Sequence, residues 1–202
     1  MDNKVMYKLT YGLFVLSTRC YMRDNACIIN TAQQVASSPD CISIAVNKNN
    51  HTAEMLQYTD DFTISIISRD ADFSLFTHFG FRSGRDVEKF DSFEDCKRVA
   101  NGTYAVTKGT NGYISAHILQ RVDLGSHYLF VAEITDMESF SDVPSVTYGY
   151  YQSNIKPKPV PKKEEKPVWC CSVCGYEYEG ESLPSDFVCP ICKHGASDFE
   201  KV

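Results

Sequence analysis

Two Cys-x-x-Cys pairs, Cys171 with Cys174 and Cys189 with Cys192, stand fourteen residues apart near the end of this 202-residue chain. Four thiolates at that spacing make a closed tetrahedral cage for one metal ion, either iron that carries electrons or zinc that only holds a fold. Ligand count does not decide between them. Trp169, Tyr176, Tyr178, Phe187 and Phe199 crowd the same segment. A domain of under about 40 residues usually folds only with a metal or disulfide, so these rings must pack around the metal. A shielded, weakly polar shell tunes a redox potential, which a structural zinc would not need, and this favours iron. Gly175 permits the tight turn after Cys174. Taking Cys170 instead of Cys171 as ligand would give Cys-x-x-x-Cys and break the first turn, so Cys171 is the expected ligand.

The rest of the chain is long enough for one domain of about 150 residues. Apolar residues make up 43% of the sequence, sufficient for a real core. The net charge of −6 is unevenly spread. Residues 168–202 carry six acids and two bases, residues 153–167 carry five lysines and two glutamates, and residues 1–152 are net −5. That balance argues against nucleic-acid binding, which rests on neutralising phosphates, whereas an acidic metal domain suits docking on a basic protein surface. The start, Met-Asp-Asn-Lys-Val, lacks a charged-then-apolar leader, and no apolar run approaches 18 residues. The expectation is a cytoplasmic protein with no membrane segment, in which the remaining cysteines Cys20, Cys27, Cys41 and Cys96 are buried reduced thiols.

Residues 153–167 read as a linker, with four prolines in eleven positions interleaved with lysine. Such a stretch favours extended polyproline II, at ~3.1 Å per residue a reach on the order of 40 Å. The expected organisation is therefore a domain over 1–152, a linker over 153–167 and a metal domain over 168–202. Before the linker the pattern is mostly strand. Ile42, Ile44 and Val46 alternate with Ser43, Ala45 and Asn47, and Phe62, Ile64 and Ile66 alternate with Thr63 and Ser65. Further strands are predicted over 13–19, 26–30, 104–107, 113–121 and 127–134. Short helices are predicted over 51–58 and 71–79, the second started by Asp70 or Asp72. Many short strands with few helices predict a mainly β fold closed into a barrel.

Neither a Rossmann GxGxxG nor a P-loop occurs. Polar residues instead cluster after two early strands, over 30–39 and over 47–52. Lys48, Asn50 and Thr52 around a predicted helix start offer a phosphate seat, or an ordinary Asn-rich turn with a threonine cap.

These runs carry a resemblance. The order Asn30-Thr-x-x-Gln-Val-x-Ser-x-Pro39, then an apolar strand ending Asn47-Lys-Asn-Asn-x-Thr52, is similar to the flavin reductases with an FMN-binding split barrel. So are Phe79-Gly-Phe-Arg-Ser-Gly-Arg-Asp-Val-Glu-Lys-Phe90 and Gly125-Ser-His127 with the strand after it. The likeness spans residues 5–151. At the other end, the Cys-x-x-Cys-Gly-Tyr and Cys-Pro-x-Cys turns with trailing Asp198-x-Glu200 resemble a rubredoxin over 168–202. The fusion resembles the high-molecular-weight rubredoxins.

The resemblance implies a homodimeric FMN-dependent NAD(P)H:rubredoxin oxidoreductase. Carried onto this sequence, Asn30, Thr31 and Gln34 line the flavin ring. Ser37, Asn47, Lys48, Asn50 and Thr52 hold the ribityl phosphate, with Arg85 as a further anion partner. His127 stands next to flavin and nicotinamide as the catalytic candidate, and Cys171, Cys174, Cys189 and Cys192 bind iron. The implied chemistry is hydride transfer from NAD(P)H to FMN, then single-electron steps to the iron and to a redox protein, which the family likeness suggests is a flavodiiron oxygen or nitric oxide reductase. The alternative is a flavin reductase that releases reduced flavin and carries a structural zinc ribbon.

Overall fold

The computed structural model describes residues 2–157 and 167–201. The chain divides into two compact units after Pro157. Most of the stretch expected to be a linker therefore lies outside the described residues. Its first part is not extended: Tyr151–Ile155 form a helical turn in which Asn154 Nδ2 donates to the Tyr150 carbonyl at 3.1 Å. Buried Tyr151 anchors that turn against Phe76, with ring centroids 4.5 Å apart. The backbone turns extended only at Lys156.

The first unit is built on nine strands: β1 (Phe14–Cys20), β2 (Arg23–Ile29), β3 (Ala32–Ser37), β4 (Asp40–Asn47), β5 (Asp61–Ile67), β6 (Cys96–Arg98), β7 (Tyr104–Val106), β8 (Thr110–Asp123) and β9 (His127–Ser139). Seven of them form one sheet in the order β2-β1-β5-β8-β9-β4-β3, and β6 pairs with β7 as a separate ribbon. The barrel is not closed by hydrogen bonds between β2 and β3, its two edges. Covalent continuity closes it instead, because β2 passes through Asn30 and Thr31 directly into β3. The Ala45 N–H donates to the Thr31 carbonyl at 3.2 Å, which carries the β3–β4 ladder one residue back toward β2. The polar run after β2 is thus itself a strand, a turn in reading that its lack of apolar alternation concealed.

Inside the barrel, Leu16, Ile29, Ile42, Ile44, Val46, Phe62, Ile64, Ile118 and Phe130 pack together and are capped by Ala53 and Leu56. Those last two come from α1 (His51–Met55) and the turn after it. The helix predicted over 51–58 is α-helical only to Met55, because the next N–H groups tighten to three-residue bonds, Gln57 to Glu54 at 3.0 Å and Tyr58 to Met55 at 2.9 Å. A second core lies outside the barrel, where Leu75, Phe76 and Phe79 of α2 (Phe73–Gly80) cover Val15 and Ala26. Of the two candidate start residues for α2, Asp72 is the cap, accepting from the Ser74 N–H at 2.8 Å. Strands β1 and β2 are therefore buried on both faces, which is why they lack clean alternation. A last short helix, α3 (Tyr148–Tyr150), leads to the end of this unit.

The second unit is a three-stranded sheet, β10 (Val168–Cys171), β11 (Glu177–Glu179) and β12 (Phe199–Lys201), with β10 central. Its core is Cys171, Cys189 and Phe199, walled by Trp169, Tyr176, Tyr178, Leu183 and Phe187. No helix among the described residues is long and apolar enough to cross a membrane.

Candidate metal centre and flavin cleft

The two cysteine turns superpose in their bonding, residue for residue, eighteen positions apart. The Cys171 N–H donates to the Tyr176 carbonyl at 2.9 Å, as the Cys189 N–H does to His194 at 2.8 Å. The Gly175 N–H returns to the Cys171 carbonyl at 2.8 Å, as the Lys193 N–H does to Cys189 at 3.0 Å. Both returning residues are left-handed, with φ of 74° and 65°. Glycine takes that conformation freely, whereas Lys193 holds it at a cost of roughly 1–2 kcal/mol.

These turns bring the Sγ atoms of Cys171, Cys174, Cys189 and Cys192 within 4.8 Å of one another. Cys171 and Cys192 are 3.6 Å apart and Cys174 and Cys189 are 3.5 Å apart. A tetrahedron with metal–sulfur bonds of ~2.3 Å has edges of about 3.8 Å, so the cage fits one ion. Electrostatics agree. The Tyr176 N–H favours the Cys174 thiolate, but burial and the three crowding sulfurs outweigh it and push Cys174 up to about 12. Burial opposes ionisation of Cys189, yet the N–H groups of Cys192 and Ile191 and the neighbouring thiols bring it down to about 6. Four thiolates cannot coexist here without a cation between them. Cys170 lies one residue along β10 and joins none of these contacts, its Sγ lying 3.9 Å from the Cys171 carbonyl. Val173, Val188 and Ile191, each next to a cage cysteine in sequence, are exposed, as is Cys174.

In the barrel unit the sequence candidates separate into groups. Asn30 and Thr31, at the seam, line a cleft of 620 Å³ whose other walls include Met6, Leu9, Tyr11 and Tyr148. Asn50 and Thr52 line a second cleft of 220 Å³, with Asn25, Arg82, Gly84 and Lys89 among its other walls. The clefts follow one another along β2, with Asn25, Cys27 and Ile28 lining the smaller and Asn30, just past the strand, lining the larger.

Asn47 and His127 face each other where β4 meets β9. Lys48 is engaged by Asp123 at 2.5 Å and lies 4.6 Å from the centroid of the Tyr128 ring. His127 Nδ1 is 2.9 Å from Ser126 Oγ. Arg85 is spoken for within the chain: it donates to Glu54 at 2.9 Å and to the Asn49 carbonyl at 3.3 Å. Gln34 and Ser37 lie on the exposed edge strand β3 and line neither cleft. Ser37 pairs with Asp40, seven residues and ~23 Å along β4 from Asn47, so one chain does not gather Ser37 with the other phosphate candidates.

Sequence reasoning gave no role to three cleft residues: Gly84 and Lys89 lie within the family-like run 79–90, and Asn25 lies outside it. Asn25 is 3% exposed; its Nδ2 donates to Thr52 Oγ1 at 3.0 Å and its Oδ1 has no partner. Gly84 lies so close to the Asn25 amide that any Cβ there would collide with it, leaving the backbone of the Phe79–Gly84 turn pressed onto the cleft wall. Lys89 is 3% exposed although it sits between Glu88 and Phe90 like any surface lysine. A buried amide with one unpartnered end, a wall that admits no side chain and a cationic lining fit a polar ligand, an anion once the amide is turned so that its NH2 is the free end.

Comparison with known proteins agrees with this geometry. The family model described as "Flavin reductase like domain" matches residues 6–158, and that described as "Rubrerythrin, rubredoxin-like domain" matches residues 169–200. The high molecular weight rubredoxin of Moorella thermoacetica is 32% identical over the whole of both chains. The ferric-chelate reductase (NAD(P)H) of Archaeoglobus fulgidus is 32% identical over 78% of this chain and 93% of its own. Among solved structures, the NADH:FAD oxidoreductase SgcE6 of Streptomyces globisporus has the same fold, with a TM-score of 0.64 at 19% identity over 71% of this chain and 83% of that one.

Proposed function

Because the chain belongs to the flavin reductase-like family of oxidoreductases and ends in a rubredoxin-like domain, we propose that it is a cytoplasmic, FMN-dependent NAD(P)H:rubredoxin oxidoreductase. Its electrons leave through a four-cysteine iron to a protein acceptor. The observation that carries this reading is the cage of four sulfurs within 4.8 Å of one another, on the same chain as the flavin reductase-like barrel. Bound flavin supplies the exchange of a two-electron hydride for single electrons, which a one-electron metal centre requires.

The chain's own residues do the positioning. Asn30 and Thr31, where the ladder is open, offer main-chain groups to the ring edge, and Asn50, Thr52 and Arg82 face the anionic end. Asn50 is free for this because it caps α1 without a side-chain bond. His127, beside Asn47, is the group nearest the incoming nicotinamide. On the metal unit, the exposed apolar Val173, Val188 and Ile191 within an acidic domain suit an acceptor with an apolar centre and a basic rim. A flavodiiron oxygen or nitric oxide reductase is the acceptor proposed.

The flavin site is completed by a second copy. The outer face of the sheet carries Ala45, Val122, Leu129 and Val131 side by side, since Leu129 pairs with both Ala45 and Val122. None of the four enters a core cluster, and the stripe ends at Asn47 and His127. A half-exposed apolar stripe beside ligand residues marks an interface.

Reducing the purified full chain with NADH under anaerobic conditions, with metal and flavin analysis, tests the relay. Flavin and ferric–thiolate bands that both bleach, at one iron and one flavin per chain, are expected. Flavin bleaching beside a cage that holds zinc would sink the relay and leave a reductase supplying free reduced flavin.

A second expectation concerns Glu54. It accepts from His51 and Arg85, and these bonds hold its carboxyl below the usual range. The contribution of these pairs to stability is present above the ordinary Glu range and lost as pH falls through the depressed folded value. Glu54→Gln releases Arg85 toward the cleft, so FMN should bind a few-fold more tightly at low salt, the modest gain reflecting an exposed pair. Unchanged affinity in a fluorescence titration would show that Arg85 does not reach the ligand.

A further inference from the structure

Lys89 is a buried lysine without a carboxylate partner among the described residues, and burial pushes its pKa down from the ordinary lysine value. Its Nζ donates to the Ala26 carbonyl at 2.7 Å and to the Phe79 carbonyl at 2.9 Å. The first bond ties it to β2. The second ties it to the last turn of α2, from which the Phe79–Gly84 wall of the smaller cleft departs. Two of its three N–H donors are thereby used. Cys27, the nearest titratable neighbour, is a buried thiol whose pKa burial pushes up, so it supplies no opposing charge.

An ammonium removed from water costs several kcal/mol unless opposite charge or strong acceptors answer it. Two carbonyls answer part of that cost. The rest of the cleft adds to the imbalance, since Arg82 lines it and has no ion pair among the described residues. Asn25 shows the same deficit in another form, with its buried Oδ1 facing no donor. A bound anion resolves both. With the Asn25 amide turned over, Thr52 Oγ1–H donates to Oδ1 and the freed Nδ2 donates to the anion, while the field of Lys89 is neutralised.

We propose that Lys89 is the buried countercharge and positioning residue of this cleft, selecting a phosphorylated flavin over an uncharged one. It holds the Phe79–Gly84 turn against β2 and places fixed positive charge beneath the phosphate. Arg82 and Arg85, both on the surface, add only what salt can screen. This inference rests on the reading of the cleft as the phosphate end of the flavin site.

The test is the ratio of affinities for FMN and riboflavin, measured by fluorescence titration of the deflavinated full-length protein at low and high salt. In the wild type FMN should be preferred. Lys89→Met should lower FMN affinity about tenfold or more while riboflavin affinity stays within twofold. Equal losses for both ligands would reduce Lys89 to a structural role, and no loss for either would remove it from the site; each overturns the proposal. Should the methionine variant fail to fold, the surface double variant Arg82→Ala, Arg85→Ala decides. It should keep a preference for FMN that salt hardly changes, and disappearance of all preference overturns the role given to Lys89. A wild type that binds both flavins equally would overturn the phosphate reading itself, and the proposal with it.

Discussion

Cys171→Ser empties the metal cage and unfolds the unit that holds it, while the barrel stays folded. Cys171 both lines the cage and packs: among the described residues it forms the buried core of the unit with Cys189 and Phe199. The aromatic shell, including Tyr178 and Phe187 at 4.7 Å and Phe187 and Phe199 at 5.3 Å, surrounds the cage and has no apolar centre of its own. A unit this small depends on its metal for most of its stability, because the unfolded chain offers no preformed site. Serine leaves three thiolates, and Cys170 cannot take its place, since adjacent residues of β10 point to opposite faces. Metal content should fall from one per chain to none, with loss of the ferric–thiolate absorbance and rapid proteolysis within residues 167–201. Bound flavin and reduction of an artificial acceptor should persist, because the two units are separate. Cys170→Ser should keep its metal. Full metal occupancy in Cys171→Ser would remove Cys171 from the ligand set.

Leu129→Glu combined with Val131→Glu should split the proposed dimer and release the flavin. Both residues alternate with Phe130 and Ala132, which fill the barrel, so they point outward and a single chain can carry the change without a core defect. In an interface, two carboxylates without partners would each be desolvated at a cost of several kcal/mol, weakening association about a hundredfold or more. Light scattering should report a dimer for the wild type and a monomer for the variant. Flavin content should fall with it, while metal content remains at one per chain. A monomeric variant with a full complement of flavin would show that the barrel completes its site alone.

Much of this was legible because it is local. The ligand spacing in the second unit needs only a tight turn at each cysteine pair, and Gly175 announces the first. Lys193 does the same work in the second with no sequence sign, since a left-handed lysine is held there by its N–H bond to Cys189 and by the metal turn as a whole. Strands β4 and β5 follow from their period-two alternation. That alternation did not say what covers the face of Thr63 and Ser65. Both are fully buried beneath the β6–β7 ribbon. Thr63 bonds to Ser115 at 2.7 Å and to Thr103 at 2.7 Å, and Ser65 Oγ accepts from the Val106 N–H at 2.9 Å. Hydroxyls can be buried wherever neighbours satisfy them, so polarity alone did not place them.

Residue spacing, then, determined the metal cage and the mainly β character of the barrel, because each depends on neighbours within a few positions. Only the tertiary structure decided that β2 and β3 are one strand bent at Asn30 and Thr31, which places these two residues at an open seam. It alone separated Ser37 from Asn47, bound Arg85 to Glu54 and drew Lys89 under the cleft from between two ordinary neighbours. The reason is common to all of them. The partners that set each environment are far away in sequence, Ala26 for Lys89 and Thr52 for Asn25 among them, and their approach depends on how the whole sheet closes.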